Sequence, residues 1–144
     1  MSDIVENLPR LTVLGIAIVA VGWAITSFVV GKSSQSGLLP DKSEWAEEDL
    51  KEFDGSDSSK PILMGINGKV YDVSKGREYY GKDGGYRNLA GRDATRLLAK
   101  NLLDPKKDNK EPLNEAELKQ MQQWESFFEN KYSVVGALKK NKND

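Results

Sequence analysis

Between Leu11 and Gly31 the chain carries no charged residue, and Val, Ile, Ala and Leu fill most of its positions. About 20 apolar residues, rising ~1.5 Å each, span the ~30 Å hydrocarbon core of a bilayer. A cleaved leader would have a basic n-region and an apolar core of about 7–15 residues. Ahead of this run stand Asp3, Glu6 and Arg10, and the run itself is longer than such a core. It reads as an uncleaved single-pass anchor. Residues 1–10 are then a short polar N-terminus and 11–31 the transmembrane helix. Residues 32–42 form a linker, rich in Ser and Gly and carrying Pro40. One domain fills 43–138, and 139–144 is a polar tail. Lys32 and Lys42 on one flank against Arg10 on the other favour a cytosolic domain under the positive-inside rule.

The 144 residues include no histidine and no cysteine. That excludes disulfides, iron–sulfur clusters, thiolate ligation, Ser-His-Asp and Cys-His triads, and the usual zinc sites. It also excludes haem held between imidazoles. Any haem iron would have to be ligated by Tyr, Met, Lys or a carboxylate. With 21 basic and 22 acidic side chains the net charge is -1, so no basic field favours nucleic acid.

Within the domain, Ser43 is a plausible helix cap followed by Glu44, Glu47, Glu48 and Asp49, with Trp45, Leu50 and Phe53 as the apolar side. Ile62, Met64 and Ile66, then Asn67-Gly68, then Val70, Tyr71 and Val73 spell a β-hairpin of half-buried strands. Leu89, Ala94, Leu97, Leu98 and Leu102 recur near helical spacing, predicting a helix over 90–103. The mixed charges of 104–112, bounded by prolines, predict a solvated loop. Asn114 caps a second helix with Leu118, Met121, Trp124 and Phe128 along one face. Tyr132 to Leu138 reads as a strand. The expected class is α+β.

Three tyrosines, Tyr79, Tyr80 and Tyr86, cluster among Gly76, Gly81, Gly84 and Gly85, between the hairpin and the first long helix. Two readings stay open on composition alone. They are half-buried aromatics with polar tips, or they form a loop that holds a flat ligand, with Tyr86 as phenolate on ferric haem iron, a ligation the phenol oxygen allows. A free phenol titrates near 10, so the second reading needs the cation and a nearby positive charge, Lys131 or Arg77, to offset that cost. Arg92 and Asp93 offer a helix-opening ion pair or a propionate partner. The consecutive acids Glu47, Glu48 and Asp49 point to different faces and make no acid–base pair. No phosphate-loop or dinucleotide pattern follows the glycines.

Taken together, Gly68-Lys69-Val70-Tyr71-Asp72-Val73, Lys75-Gly76-Arg77-Glu78-Tyr79-Tyr80-Gly81, Gly84-Gly85-Tyr86 and Ala90-Gly91-Arg92-Asp93-Ala94-Thr95-Arg96 form an ordered set. Trp124 to Phe128 and Lys131-Tyr132-Ser133-Val134-Val135-Gly136 complete it. The set resembles the membrane-associated progesterone receptor family of cytochrome b5-like domains, over roughly Trp45 to Leu138. The His-Pro-Gly-Gly motif of cytochrome b5 itself is absent. The resemblance implies haem b with ferric iron and Tyr86 as axial ligand, Tyr80 and Lys131 as supporting residues, and Tyr132 beside the haem. Where typical members have proline, Lys82 and Gly85 stand here, and Leu97 replaces a glycine, which leaves the loop less pre-organised.

The resemblance further implies a non-catalytic protein of the endoplasmic reticulum, with a mitochondrial membrane as the alternative. Cytochrome P-450 enzymes of sterol metabolism are its implied partners, or it handles haem. A haem-free accessory subunit of a larger membrane complex is the second expectation, direct steroid binding the third, and a homodimer is left open.

Overall fold

The computed structural model describes residues 39–140. The expected membrane span lies outside these residues, as do most of the linker and the end of the tail. Among the described residues no helix is long and apolar enough to cross a membrane.

Four strands form one sheet in the order β1-β4-β3-β2: β1 (Glu44–Trp45), β2 (Leu63–Ile66), β3 (Lys69–Asp72) and β4 (Ser133–Leu138). β2 and β3 are the expected hairpin, paired antiparallel with Gly65 opposite Val70. Asn67 and Gly68 turn it with φ of 48° and 80°, the backbone twist that a two-residue hairpin turn requires. β2 is buried at every position rather than on one face, because a second segment covers its far edge. β4 pairs antiparallel with β3, with an irregularity between Val70 and Tyr71. β1 joins β4 in parallel through Glu44 opposite Ala137.

That last pairing displaces the helix expected from Ser43. The Ser43 carbonyl accepts from Ala137 N–H at 2.8 Å, and the Trp45 carbonyl from Lys139 N–H at 2.7 Å. The sheet thus takes the backbone as far as Trp45, whose indole is driven into the core. Helix α1 begins later, at Glu47–Leu50, where Asp49 accepts from Ala46 N–H at 2.8 Å. Trp45, Leu50, Phe53, Leu63 and Val70 pack as one core cluster, and Trp45 meets Phe53 edge-on at 5.8 Å.

The helix expected over 90–103 shrinks to five residues, α3 (Thr95–Ala99); the single turn α2 (Arg77–Tyr80) precedes it. Gly91 has φ of 71°, a left-handed conformation that cannot start a helix. The segment instead bridges to β2 at Asp93, opposite Gly65: Gly91 N–H donates to Leu63 O at 2.8 Å, and Gly65 N–H to Arg92 O at 2.9 Å. Asp93 then accepts from Thr95 N–H at 3.0 Å. Beyond the end of α3, Asn101 takes a left-handed φ of 54°. Leu102 N–H reaches Leu97 O, and Asn101 N–H reaches Leu98 O, the two bonds of a Schellman stop.

α4 (Glu115–Lys131) starts as expected. The Asn114 side chain accepts from Glu117 N–H, and the Glu117 carboxylate from Asn114 N–H, both at 2.9 Å. Met121, Trp124 and Phe128 are its buried face, and Leu118 is 42% exposed. The loop 104–112 is not simply solvated. The Asp108 side chain is 2% exposed and pairs with Arg96 and Lys100.

Candidate functional site

α2 and α4 converge on the sheet, and between them stands a cluster of aromatic rings. Tyr80, the last residue of α2, is buried. Its ring centroid lies 6.4 Å from Tyr79, 6.4 Å from Tyr86, 6.1 Å from Phe128 and 6.3 Å from Tyr132. Phe128 continues the wall to Tyr132 at 5.5 Å, to Trp124 at 6.1 Å and to Tyr71 at 6.1 Å. Separations of this size are favourable for edge-on and tilted rings.

Tyr86 sits at the rim. It is half-buried, and its N–H donates to Tyr79 O at 2.9 Å, so residues 80–85 fold back on the end of α2. Its carbonyl accepts from Leu89 N–H at 3.0 Å and opens the turn Arg87–Leu89. Gly76 has a packing role. A Cβ there would stand 2.6 Å from the Tyr132 hydroxyl and 3.0 Å from the Tyr80 ring.

Electrostatics sort the phenols. Burial raises Tyr80 well above the ordinary phenol value, and Tyr132 is raised by burial too. Both therefore stay protonated around neutrality. Lys131, at the end of α4, is half-buried, and burial lowers its pKa while Glu78 acts the other way. Its Nζ lies 5.5 Å from the Phe127 ring centroid and 5.6 Å from that of Tyr132.

The fold thus gathers Tyr80, Tyr86 and Tyr132 in one ring cluster, with Lys131 against Tyr132. It does not gather Arg77, whose Nη2 donates to Lys60 O at 2.6 Å. Nor do Arg92 and Asp93 pair, since Asp93 turns to Thr95. Phe128 and Trp124 belong to the wall although nothing about them in isolation signalled a site. Their spacing of four on one helix face was the available clue.

Among the described residues no group of three or more acidic side chains could hold a bare metal ion. The oxygen donors around the rings suit a porphyrin better. The buried Trp124 Nε1 makes no hydrogen bond, and such an orphaned polar atom calls for a partner. A half-buried phenol, two buried phenols and a half-buried ammonium beside a cluster of tilted and edge-on rings fit a group with both polar and apolar parts.

The model of the cytochrome b5-like haem/steroid binding domain matches residues 46–136. The chain belongs to the membrane-associated progesterone receptor family. Membrane steroid-binding protein 2 of Oryza sativa is 46% identical over 99 residues, 67% of this chain and 37% of that protein. Human membrane-associated progesterone receptor component 2 is 39% identical over 117 residues, 76% and 52% respectively. The chain therefore spans between about a third and a half of the length of these curated relatives. Among solved structures, a hypothetical protein of Arabidopsis thaliana with a cytochrome b5-like fold superposes with a TM-score of 0.61 at 36% identity, covering 77% of this chain and all of that one. The α+β domain described above is thus of the cytochrome b5-like haem/steroid-binding type, in a family whose relatives are named for membranes.

Proposed function

We propose that this chain is a membrane-tethered haem-binding module in which the phenolate of Tyr86 ligates ferric iron. The observation that carries the reading is the clustering of Tyr86, Tyr80 and Tyr132, with Lys131 alongside, in a chain with no imidazole or thiol. Of the three phenols Tyr86 is the accessible one, so it is the natural ligand. Tyr80 and Tyr132, kept protonated by burial, act as hydrogen-bond donors from behind it. Lys131 provides the positive charge that favours an anionic oxygen or carboxylate nearby. The bound haem would supply a redox-active iron, and an anionic oxygen ligand favours its ferric state. Electron shuttling of the cytochrome b5 kind is therefore not its task.

By this reading the protein is a partner rather than a catalyst. It is held by residues 11–31 in the endoplasmic reticulum with its domain in the cytosol, and it acts on cytochrome P-450 enzymes of sterol metabolism or in haem handling. The relatives' names add direct steroid binding as a further activity of the same aromatic wall. Saturable binding of a labelled sterol to haem-free protein tests it.

A specific observation favours a second reading, a haem-free accessory subunit of a membrane complex. Tyr80 is already fully enclosed by Tyr86, Phe128 and Tyr132, so the wall packs well on its own ring contacts. Hemin titration of the full chain in detergent separates the two. The first reading expects a tyrosinate-type ferric spectrum that Tyr86→Phe abolishes and Tyr80→Phe weakens. An unchanged spectrum in Tyr86→Phe refutes the ligand. No binding by the unaltered chain leaves the accessory subunit.

A further inference from the structure

Beside the loop that carries Tyr86, an open crevice of about 570 Å³ is lined by four cations, Lys51, Lys82, Arg87 and Arg92, and by one carboxylate, Asp54. Tyr86 is not among its lining residues. The chain as a whole has a net charge of -1, so this is a local excess of positive charge. The cations come from three separate places: the turn after α1, the glycine loop and the segment that bridges to β2. Only the folded chain assembles them.

The groups differ in what already occupies them. Lys51 pairs with Glu48 at 2.6 Å. Asp54 accepts from Ser56 N–H at 2.9 Å, and its bonds to Ser56 hold its carboxyl below the ordinary value. Lys82, Arg87 and Arg92 form no ion pair with any described residue. Arg92 is the best-held of the three. Its carbonyl is fixed by Gly65 N–H at 2.9 Å, and its Nε is buried without an acceptor.

A guanidinium already partly stripped of water and fixed at its backbone loses less on capturing an anion than a freely hydrated ammonium does. Two arginine forks and a lysine around one opening can share several oxygens of one group, which suits a phosphoryl better than a single carboxylate. The volume lies within the ~300–1,000 Å³ of small-molecule sites.

We propose that this crevice binds the phosphoryl group of a small phosphorylated molecule or of a phospholipid headgroup, with Arg92 as its anchor and Lys82 and Arg87 as its rim. The site is independent of haem, and its test needs none.

The full chain in neutral detergent, free of haem, is titrated calorimetrically with glycerophosphate at low ionic strength, and is offered vesicles of phosphatidylcholine with and without phosphatidic acid. Saturable binding of glycerophosphate assigns a free phosphoryl ligand. Retention only by phosphatidic acid vesicles assigns the headgroup. In either arm, Arg92→Gln weakens binding by roughly tenfold or more, as loss of one charge-assisted hydrogen bond implies. The exposed pair Lys82→Gln with Arg87→Gln does the same without touching the buried backbone. Lys106→Gln with Lys107→Gln, on another loop, changes nothing. Absence of binding in both arms, or equal weakening by the Lys106/Lys107 pair, overturns the proposal.

Discussion

Arg96 holds the carboxylate of Asp108 with two nitrogens, Nε at 2.7 Å from Oδ2 and Nη2 at 3.0 Å from Oδ1. Lys100 adds a third contact at 3.1 Å, and the Lys110 N–H a fourth at 3.2 Å. A two-pronged grip of this kind is geometrically selective, and it ties the proline-bounded loop back to α3. The Nη2 atom also reaches Glu111 O at 2.6 Å, so one side chain clamps both ends of a four-residue bend.

Asp108→Asn keeps the shape and removes the charge. It is expected to lower stability by about 1–2 kcal/mol, the figure for charge-assisted bonds discounted for the exposed sides of Arg96 and Lys110. The sign with pH follows from the depressed carboxyl. A group with a lowered folded value contributes fully above its unfolded value, near 3.9, and that contribution is lost as pH falls further. Urea melts should separate wild type from the variant at neutral pH, and the gap should only begin to narrow below about pH 4, persisting at about pH 3 because the folded carboxyl is still ionised there.

Gly76→Ala tests the close approach behind the tyrosines. The new methyl would meet the Tyr132 hydroxyl at 2.6 Å, and overpacking of this kind costs about 1–3 kcal/mol. Gly68→Ala is the control: its site is open, φ is 80°, and its cost of about 1 kcal/mol is conformational alone. Both lower the denaturation midpoint, and only Gly76→Ala should also weaken hemin binding.

Alkaline titration reads the buried phenols. Burial pushes Tyr71 up to about 12, and raises Tyr80 and Tyr132 as well. Groups with raised folded values stabilise fully below their unfolded value near 10, and that stability is lost as pH rises through the folded ones. Lys131, lowered by burial, works the other way over the interval up to about 10.4 and offsets part of the loss. Tyrosinate absorbance and far-ultraviolet dichroism should therefore change together above pH ~10. Tyrosinate formation complete before any loss of dichroism would show these rings to be accessible.

Local chemistry accounts for what was legible beforehand. The Asn67-Gly68 turn and the Asn114–Glu117 box are decided within four residues, and both stand where the sequence puts them. The absence of imidazole and thiol, visible without any fold, restricts iron ligation to oxygen or a weak donor. Three outcomes depended on distant partners. Ser43 and Glu44 join a sheet because Ala137 is there to pair with them. Residues 91–94 bridge to β2 instead of starting a helix because β2 offers an open edge and Gly91 can take a positive φ. Asp108 is buried because Arg96 and Lys100 wait across the loop. Amino-acid order determined the Asn67-Gly68 turn, the Asn114 cap and the donor types, since each is settled by neighbours along the chain. Tertiary structure alone decided which charges are buried and which cations share a crevice, since those energies exist only once remote segments meet.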